Sequence, residues 1–188
     1  MNELPRDILQ RIGNTSLLAL RNIVPKNGSH ILLKLESENP TGSMKDRMAL
    51  AMIEAAEADG RLKARGSVVE YTAGSTGVSL SLVCAVKGYS LHIVSSDAFA
   101  QEKLDHMKIL GAKLQILHSE SGGMTEKLTR DMIEAAGVIA KETGAFCQPV
   151  GAVAGSKDPR SPRLCARTGA AASPAPPNPR KRTISRRL

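Results

Sequence analysis

The sequence is poor in aromatic residues and in cysteine. Aromatic residues make up 2% of its 188 residues and there is no Trp, so a core must be built from Leu, Ile, Val, Met and Ala. The three cysteines, Cys84, Cys147 and Cys165, are odd in number and far apart, which argues against a disulfide scaffold or a zinc site and suits a reducing compartment. No apolar run is long enough to cross a bilayer, and the first ten residues lack the hydrophobic segment of a secretory signal. We therefore expect a cytoplasmic protein without a membrane anchor or a metal site.

The net charge of +8 is confined to one end of the chain. Of the 26 Lys and Arg residues nine lie in residues 156–188, whereas only one of the 18 acidic residues does, so the first 155 residues carry 17 charges of each sign. Six of the ten prolines also lie after residue 156. Such a segment buries too little apolar surface to offset its ordering entropy. Residues 156–188 are predicted to be a disordered basic tail.

Short apolar runs alternate with amphipathic segments along the first 150 residues. This alternation predicts βαβ units, and hence a parallel sheet with helices on both of its faces, a three-layer α/β fold. Ligands in such sheets bind beyond the carboxyl ends of the strands, so residues 39–45, 72–77 and 95–100 are the turns of interest. The predicted strands are 31–35, 66–71, 91–94 and 114–117, and the predicted helices are 44–59, 78–87, 101–110 and 125–143. In the first helix, Met44, Met48, Met52 and Ala55 are predicted to share one face.

One lysine falls at the start of a predicted helix. Pro40 and Gly42 are expected to end any regular structure before the helix. Ser43 with Asp46 predicts a capping-box pair, which places Lys45 in the first turn. The positive end of the helix dipole disfavours a protonated amine there, and only a neutral amine attacks an aldehyde. On these residues alone, a solvated lysine paired with Asp46 or a nearby acid is the better interpretation.

Three segments together resemble one enzyme family. Residues 39–47, Asn-Pro-Thr-Gly-Ser-Met-Lys-Asp-Arg, closely resemble the cofactor-lysine motif of the cysteine synthase and cystathionine beta-synthase family, the fold type II enzymes dependent on pyridoxal 5'-phosphate (PLP). Residues 12–17 resemble the family's N-terminal signature, with Ser16 where Pro is usual, and residues 70–77 resemble its next loop. The resemblance covers about residues 12–146. It implies that Lys45 is the catalytic residue, which holds PLP covalently and acts as the acid-base group at the substrate α-carbon.

The turn at residues 72–77 is rich in small and hydroxyl-bearing residues. Its glycines, Gly74 and Gly77, permit close approach to the backbone, and hydroxyls beside helix N–H groups suit an anion. Without Lys45, an ordinary βα turn with a helix cap would be the better interpretation. The resemblance implies that Ser75, standing where Asn is usual, bonds the cofactor's ring hydroxyl. It also implies that the substrate carboxylate is held by Thr72, Ala73, Gly74, Ser75 and Thr76.

The resemblance also implies a reaction class. It is β-replacement or β-elimination on serine, O-acetylserine or a similar amino acid, as a transferase or lyase of cysteine biosynthesis, with dehydratases of the same fold as the near alternative. In the family, residues 1–40 would belong to a large domain and residues 41–150 would form the small α/β domain; a homodimer is compatible with this. The family's phosphate loop lies further downstream, on the large domain. We therefore expect a truncated or frame-shifted product that is weakly active or inactive.

Two other functions compete with the enzyme hypothesis. The basic tail could contact nucleic-acid phosphates without sequence specificity through residues 180–182 and 186–187. The tail contains no aromatic residue to stack on bases, which weakens this idea. The remaining alternative is a non-catalytic remnant.

Overall fold

A parallel sheet of four strands organises the molecule. The computed structural model describes residues 7–21, 28 and 30–147. The strand order is β5-β4-β3-β6, and every neighbouring pair is parallel. The strands are β3 (Ser67–Tyr71), β4 (Ser90–Ser96), β5 (Lys113–Leu117) and β6 (Phe146–Cys147); the helices are α1 (Lys45–Ala58), α2 (Ser75–Lys87), α3 (Gln101–Ile109) and α4 (Glu126–Thr143).

Helices cover both faces of this sheet, so the predicted three-layer α/β fold is confirmed. Alternate side chains of a strand point to opposite faces. Val68 and Ile93 pack in the larger core cluster with residues of α1, α2 and α3. Val69 and Val94 pack in a second cluster with Met132 and other residues of α4. The carboxyl ends of β3 and β4 consequently lie between helices, where the two turns of interest begin.

A small antiparallel sheet precedes this unit. It consists of β1 (Leu17–Ala19) and β2 (Leu32–Lys34). The predicted strand 31–35 is therefore shorter than expected, and β1 was not predicted. All six strand residues are exposed, with Leu17 at 57% and Leu32 at 56%. The hairpin thus presents large aliphatic side chains at the surface.

The buried face of α1 differs from the prediction. Met44 is 54% exposed and Ala55 is also exposed, although Met52 is buried. The side chains that enter the core are instead Ala49, Met52, Ile53 and Ala56. Ala49, Ile53 and Ala56 lie in the larger core cluster, which also contains residues of α2.

Several helix ends follow local rules and were correctly predicted. Gly88 ends α2 at φ 76° and Gly144 ends α4 at φ 65°, both in the left-handed region that glycine adopts without a Cβ penalty. Thr125 caps α4 through its side chain, which accepts the Leu128 N–H at 3.0 Å. By contrast, α2 begins at Ser75, three residues before its predicted start. In the part of the chain that the structure describes, no helix combines the length and apolarity needed to span a membrane.

Candidate functional site

Lys45 is the first residue of α1, as the sequence predicted. The predicted cap is wrong in detail: the residue that precedes the helix is Met44, and it provides no side-chain cap. Ser43 Oγ instead accepts the backbone N–H of Lys45 at 3.1 Å. Lys45 itself is half-buried. The backbone around the lysine is therefore held by a local hydroxyl, while its side chain leaves the first turn of the helix.

The Asp46 side chain does not bond to Ser43, so the predicted capping box is wrong, and only the backbone N–H of Asp46 donates to the Ser43 carbonyl, at 3.2 Å. Its carboxylate is fully buried, with 0% exposure. Oδ2 accepts the backbone N–H of Thr41 at 2.8 Å, while Oδ1 accepts the hydroxyls of Thr41 and of Ser79, the latter at 2.5 Å. The structure thus ties the loop before α1, the first turn of α1 and the second turn of α2 to one carboxylate.

The same contacts of Asp46 bear on whether the Lys45 amine has a side-chain partner. The alternative was a lysine paired with Asp46 or a nearby acid, and its pairing with Asp46 is wrong, because the oxygens of Asp46 accept hydrogen bonds from Thr41 and Ser79. Within residues 7–21, 28 and 30–147, the Lys45 amine makes no hydrogen bond or ion pair. A half-buried amine that local side chains leave unpaired is suited to a reaction with a carbonyl compound.

The other polar residues of segment 39–47 hold it against the N-terminal segment. Asn39, 3% exposed, accepts the Gly13 N–H at 2.9 Å and donates to the carbonyl and carboxylate of Glu36, each at 2.9 Å. Arg47 pairs with Glu36 at 2.7 Å, and this hydrogen bond lowers the pKa of Glu36. Segments 12–17 and 39–47 were separate signatures in the sequence. In the folded chain these hydrogen bonds join them.

The turn after β3 is fixed mainly through its backbone. The Thr72 N–H donates to the Val94 carbonyl at 3.0 Å, and the buried Ser95 hydroxyl donates to the Thr72 carbonyl at 2.9 Å. The Thr72 hydroxyl accepts the Gly74 N–H at 3.2 Å. Among the remaining predicted residues, Ala73 and Ser75 are exposed. The role of Ser95 was missed, because nothing local to its sequence points to a carbonyl on the neighbouring strand.

The two glycines of this turn differ in their surroundings. A Cβ on Gly77 would lie 2.3 Å from Met107 Sδ and 2.6 Å from Thr72 Cγ2, so close packing already accounts for this glycine. A Cβ on Gly74 would lie an ordinary 3.5 Å from Lys103 Cγ. Gly74 precedes α2, whose first N–H groups receive no side-chain cap. These N–H groups, with the exposed Ser75 hydroxyl and the 9%-exposed Thr76 beside them, provide the donors that an anion requires.

The lysine and the turn belong to neighbouring helix starts. Ser79 contacts Asp46 at 2.5 Å and Thr41 Oγ1 at 3.2 Å. It lies four residues after Ser75 and therefore on the same side of α2. The start of α1, with Lys45, accordingly packs against the first turns of α2. Lys45 and the hydroxyl-rich turn therefore belong to two helix starts that the Asp46–Ser79 hydrogen bond joins.

A parallel α/β unit with ligand-facing turns at helix starts defines a broad class of small-molecule enzymes. The family model for pyridoxal-phosphate dependent enzymes matches residues 8–159. The chain belongs to this family, whose members use pyridoxal phosphate. The family thus confirms the cofactor that the sequence predicted.

Several cysteine synthases are among the relatives that the chain is similar to. It is 45% identical over 108 residues to a cysteine synthase of Staphylococcus aureus (strain N315), covering 57% of this chain and 35% of the relative. It is 43% identical over 113 residues to cysteine synthase B of Escherichia coli (strain K12), covering 60% and 37%. A cysteine synthase of Flavobacterium sp. is 41% identical over 139 residues, covering 73% and 43%. The chain thus spans well under half the length of these relatives.

The structural neighbours agree with the fold. An O-ureido-L-serine synthase superimposes with a TM-score of 0.68 and 32% identity, over 77% of this chain and 44% of that one. A hydrogen sulfide-producing enzyme from Fusobacterium nucleatum gives 0.69 and 32%, over 78% and 46%. The predicted basic tail, on which the nucleic-acid alternative depends, lies outside the described residues. Within them, no group of three or more His, Cys, Asp or Glu residues could hold a metal ion.

Proposed function

We propose that the chain carries the lysine side of a PLP site for β-replacement or β-elimination on serine-type amino acids. The observation that supports this best is the unpaired amine of Lys45, held at a helix start that Asp46 and Ser79 join to the turn after β3. An ordinary surface lysine has no need of such a buried connection. The near alternative, a dehydratase, would use the same lysine.

Each predicted site residue has a defined role in this proposal. Lys45 would hold the cofactor through its aldehyde carbon until the substrate amine displaces it from that carbon, and the freed Lys45 amine would then move the proton at the substrate α-carbon. Ser75 would donate to or accept from the cofactor's ring hydroxyl, and the turn formed by Thr72, Ala73, Gly74, Ser75 and Thr76 would bind the substrate carboxylate. Bound PLP supplies an electron sink for the carbanion that proton removal leaves.

The activities for which the relatives are named support the substrate class. Cysteine and O-ureido-L-serine, the products named for the relatives and for one structural neighbour, are both alanines substituted at the β-carbon. The third name, a hydrogen sulfide-producing enzyme, is compatible with β-elimination of a thiol. On this proposal a reaction at the α-carbon would be common to all of these and would require the lysine. Weak turnover, a homodimer and a cytoplasmic location stay predictions for this chain.

Removal of the α-proton gives a direct test of the proposal. The full chain with PLP is incubated with L-serine in D₂O, and loss of the α-proton signal is followed by NMR. We expect exchange that Lys45→Ala abolishes and that Lys63→Ala, an exposed lysine outside the site, leaves unchanged. Equal exchange in both variants, or none in the unmodified chain, would contradict a catalytic role for Lys45. The exchange rate also measures how weak the activity is.

A further inference from the structure

The carboxylate of Asp46 is the only charged group that the described part of α1 buries completely, and it lies directly after Lys45. Burying a carboxylate is costly unless hydrogen bonds satisfy its oxygens. Three donors do so here: the backbone N–H of Thr41 and the hydroxyls of Thr41 and Ser79. No ion pair to Asp46 forms among the described residues. The arrangement is therefore built from directional hydrogen bonds rather than from a neighbouring cation.

These bonds join three pieces of the site. Thr41 belongs to the loop before α1, Asp46 to the first turn of α1, and Ser79 to α2, one turn beyond Ser75. Thr41 Oγ1 and Ser79 Oγ are themselves 3.2 Å apart, so the three side chains close a small network. A change in this network would rotate or displace the first turn of α1 relative to α2. Lys45 lies in that turn and has no side-chain partner that would restore its position.

We propose that Asp46 is a positioning residue, which fixes the Lys45 amine relative to the turn after β3 through its hydrogen bonds and not through its charge. The inference rests on the proposed function of Lys45. Misplacement of a reacting group by about 1 Å costs up to about 100-fold in rate. Replacing Asp46 should therefore slow the reaction of Lys45 by more than the accompanying loss of stability would explain.

The test measures the rate at which Lys45 acquires a borohydride-stable pyridoxyl label when the full chain is treated with PLP, under conditions where circular dichroism shows each variant folded. Asp46→Ala removes both acceptor oxygens and should slow labelling at least about tenfold. Asp46→Asn can turn its amide so that the oxygen faces Thr41 N–H and the NH₂ faces the two hydroxyls. It should therefore keep a rate close to that of the unmodified chain.

The matched control lies at the other end of the same helix. Glu57 accepts from Lys87 at 2.9 Å and from the Tyr89 hydroxyl at 2.7 Å, so Glu57→Ala also removes hydrogen bonds between α1 and its neighbours. Glu57→Ala should leave the labelling rate of Lys45 unchanged. If Asp46→Ala does not fold, Ser79→Ala replaces it in the test. This variant removes a single hydroxyl and should also slow the labelling of Lys45.

The outcomes separate the two proposals. Labelling of Lys45 in the unmodified chain, with Asp46→Ala no slower than Glu57→Ala, would overturn the role of Asp46 alone. Slow labelling in Asp46→Asn as well as in Asp46→Ala would show that the charge is needed, which contradicts a hydrogen-bonded positioning role. Failure of the unmodified chain to label Lys45 would overturn the proposed function and the role of Asp46 with it.

Discussion

Individual residues of segment 39–47 differ in how their side chains are held. Asn39, Asp46 and Arg47 each form a side-chain hydrogen bond or ion pair with a residue outside the segment, whereas the Lys45 amine forms none within the described chain. The position of Lys45 near a helix start was predictable, because the chain-breaking residues Pro40 and Gly42 act locally. The partner of Asp46 was not, because Ser79 lies 33 residues further along the chain and only folding brings it close.

An acidic residue directly after β4 permits a prediction of how stability depends on pH. Asp97, which follows β4, contacts His118 Nδ1 at 2.6 Å and accepts the Ser119 N–H at 2.8 Å. The hydrogen bond with His118, followed by that from Ser119, lowers the pKa of Asp97 below its ordinary 3.8. A carboxyl whose pKa falls on folding stabilises the protein above its unfolded pKa, and this contribution is lost as the pH falls through the folded value.

We therefore expect Asp97→Asn to lower the thermal midpoint at about pH 7 and to do so less and less as the pH falls below about 4. Thermal unfolding followed by circular dichroism at a series of pH values measures this. His118→Ala removes the largest cause and should show a smaller pH dependence than the unmodified chain. A difference between Asp97→Asn and the unmodified chain that stays constant down to about pH 3 would contradict the assignment.

Whole helices and strands were predicted to the extent that local sequence decides them. The glycines after α2 and α4, and the helix-strand alternation, gave elements within a few residues of those observed. The strands β1 and β6, of three and two residues, exist only through their pairing with neighbours and carry no periodic signal of their own. The prediction of the buried face of α1 was wrong because packing in the core, rather than the spacing of the methionines, determines which side chains are buried.

The start of α2 offers a test of how closely the elements pack. Gly77→Ala would place a Cβ 2.3 Å from Met107 Sδ and 2.6 Å from Thr72 Cγ2, so the Met107 and Thr72 side chains, or the backbone that carries them, must shift. We expect a loss of about 1–3 kcal/mol in the free energy of unfolding, measured with urea. Gly123→Ala is the control, because a Cβ there meets nothing within 4 Å, and it should change stability by less than about 0.5 kcal/mol. Equal stability of the two variants would show that the predicted crowding at Gly77 is wrong.

At the scale of the whole molecule, the parallel sheet brings the turns after β3 and β4 to the same edge. The fold class, the family and the cofactor were predicted from the sequence and are confirmed. The division into residues 1–40, 41–150 and 156–188 stays a prediction; residues 148–188 lie outside the described structure. The separate β1-β2 hairpin with its exposed leucines is compatible with an N-terminal segment that packs elsewhere in longer relatives.

Lysine selectivity is the measurement that tests the central claim most directly. The full chain is treated with one equivalent of PLP, reduced with borohydride and digested, and the pyridoxyl label on every lysine peptide is quantified by mass spectrometry. The structure predicts that Lys45 carries most of the label and that Lys45→Ala loses it without a gain elsewhere. Label spread evenly over the lysines, with no preference for position 45, would contradict the assignment of this chain's cofactor site.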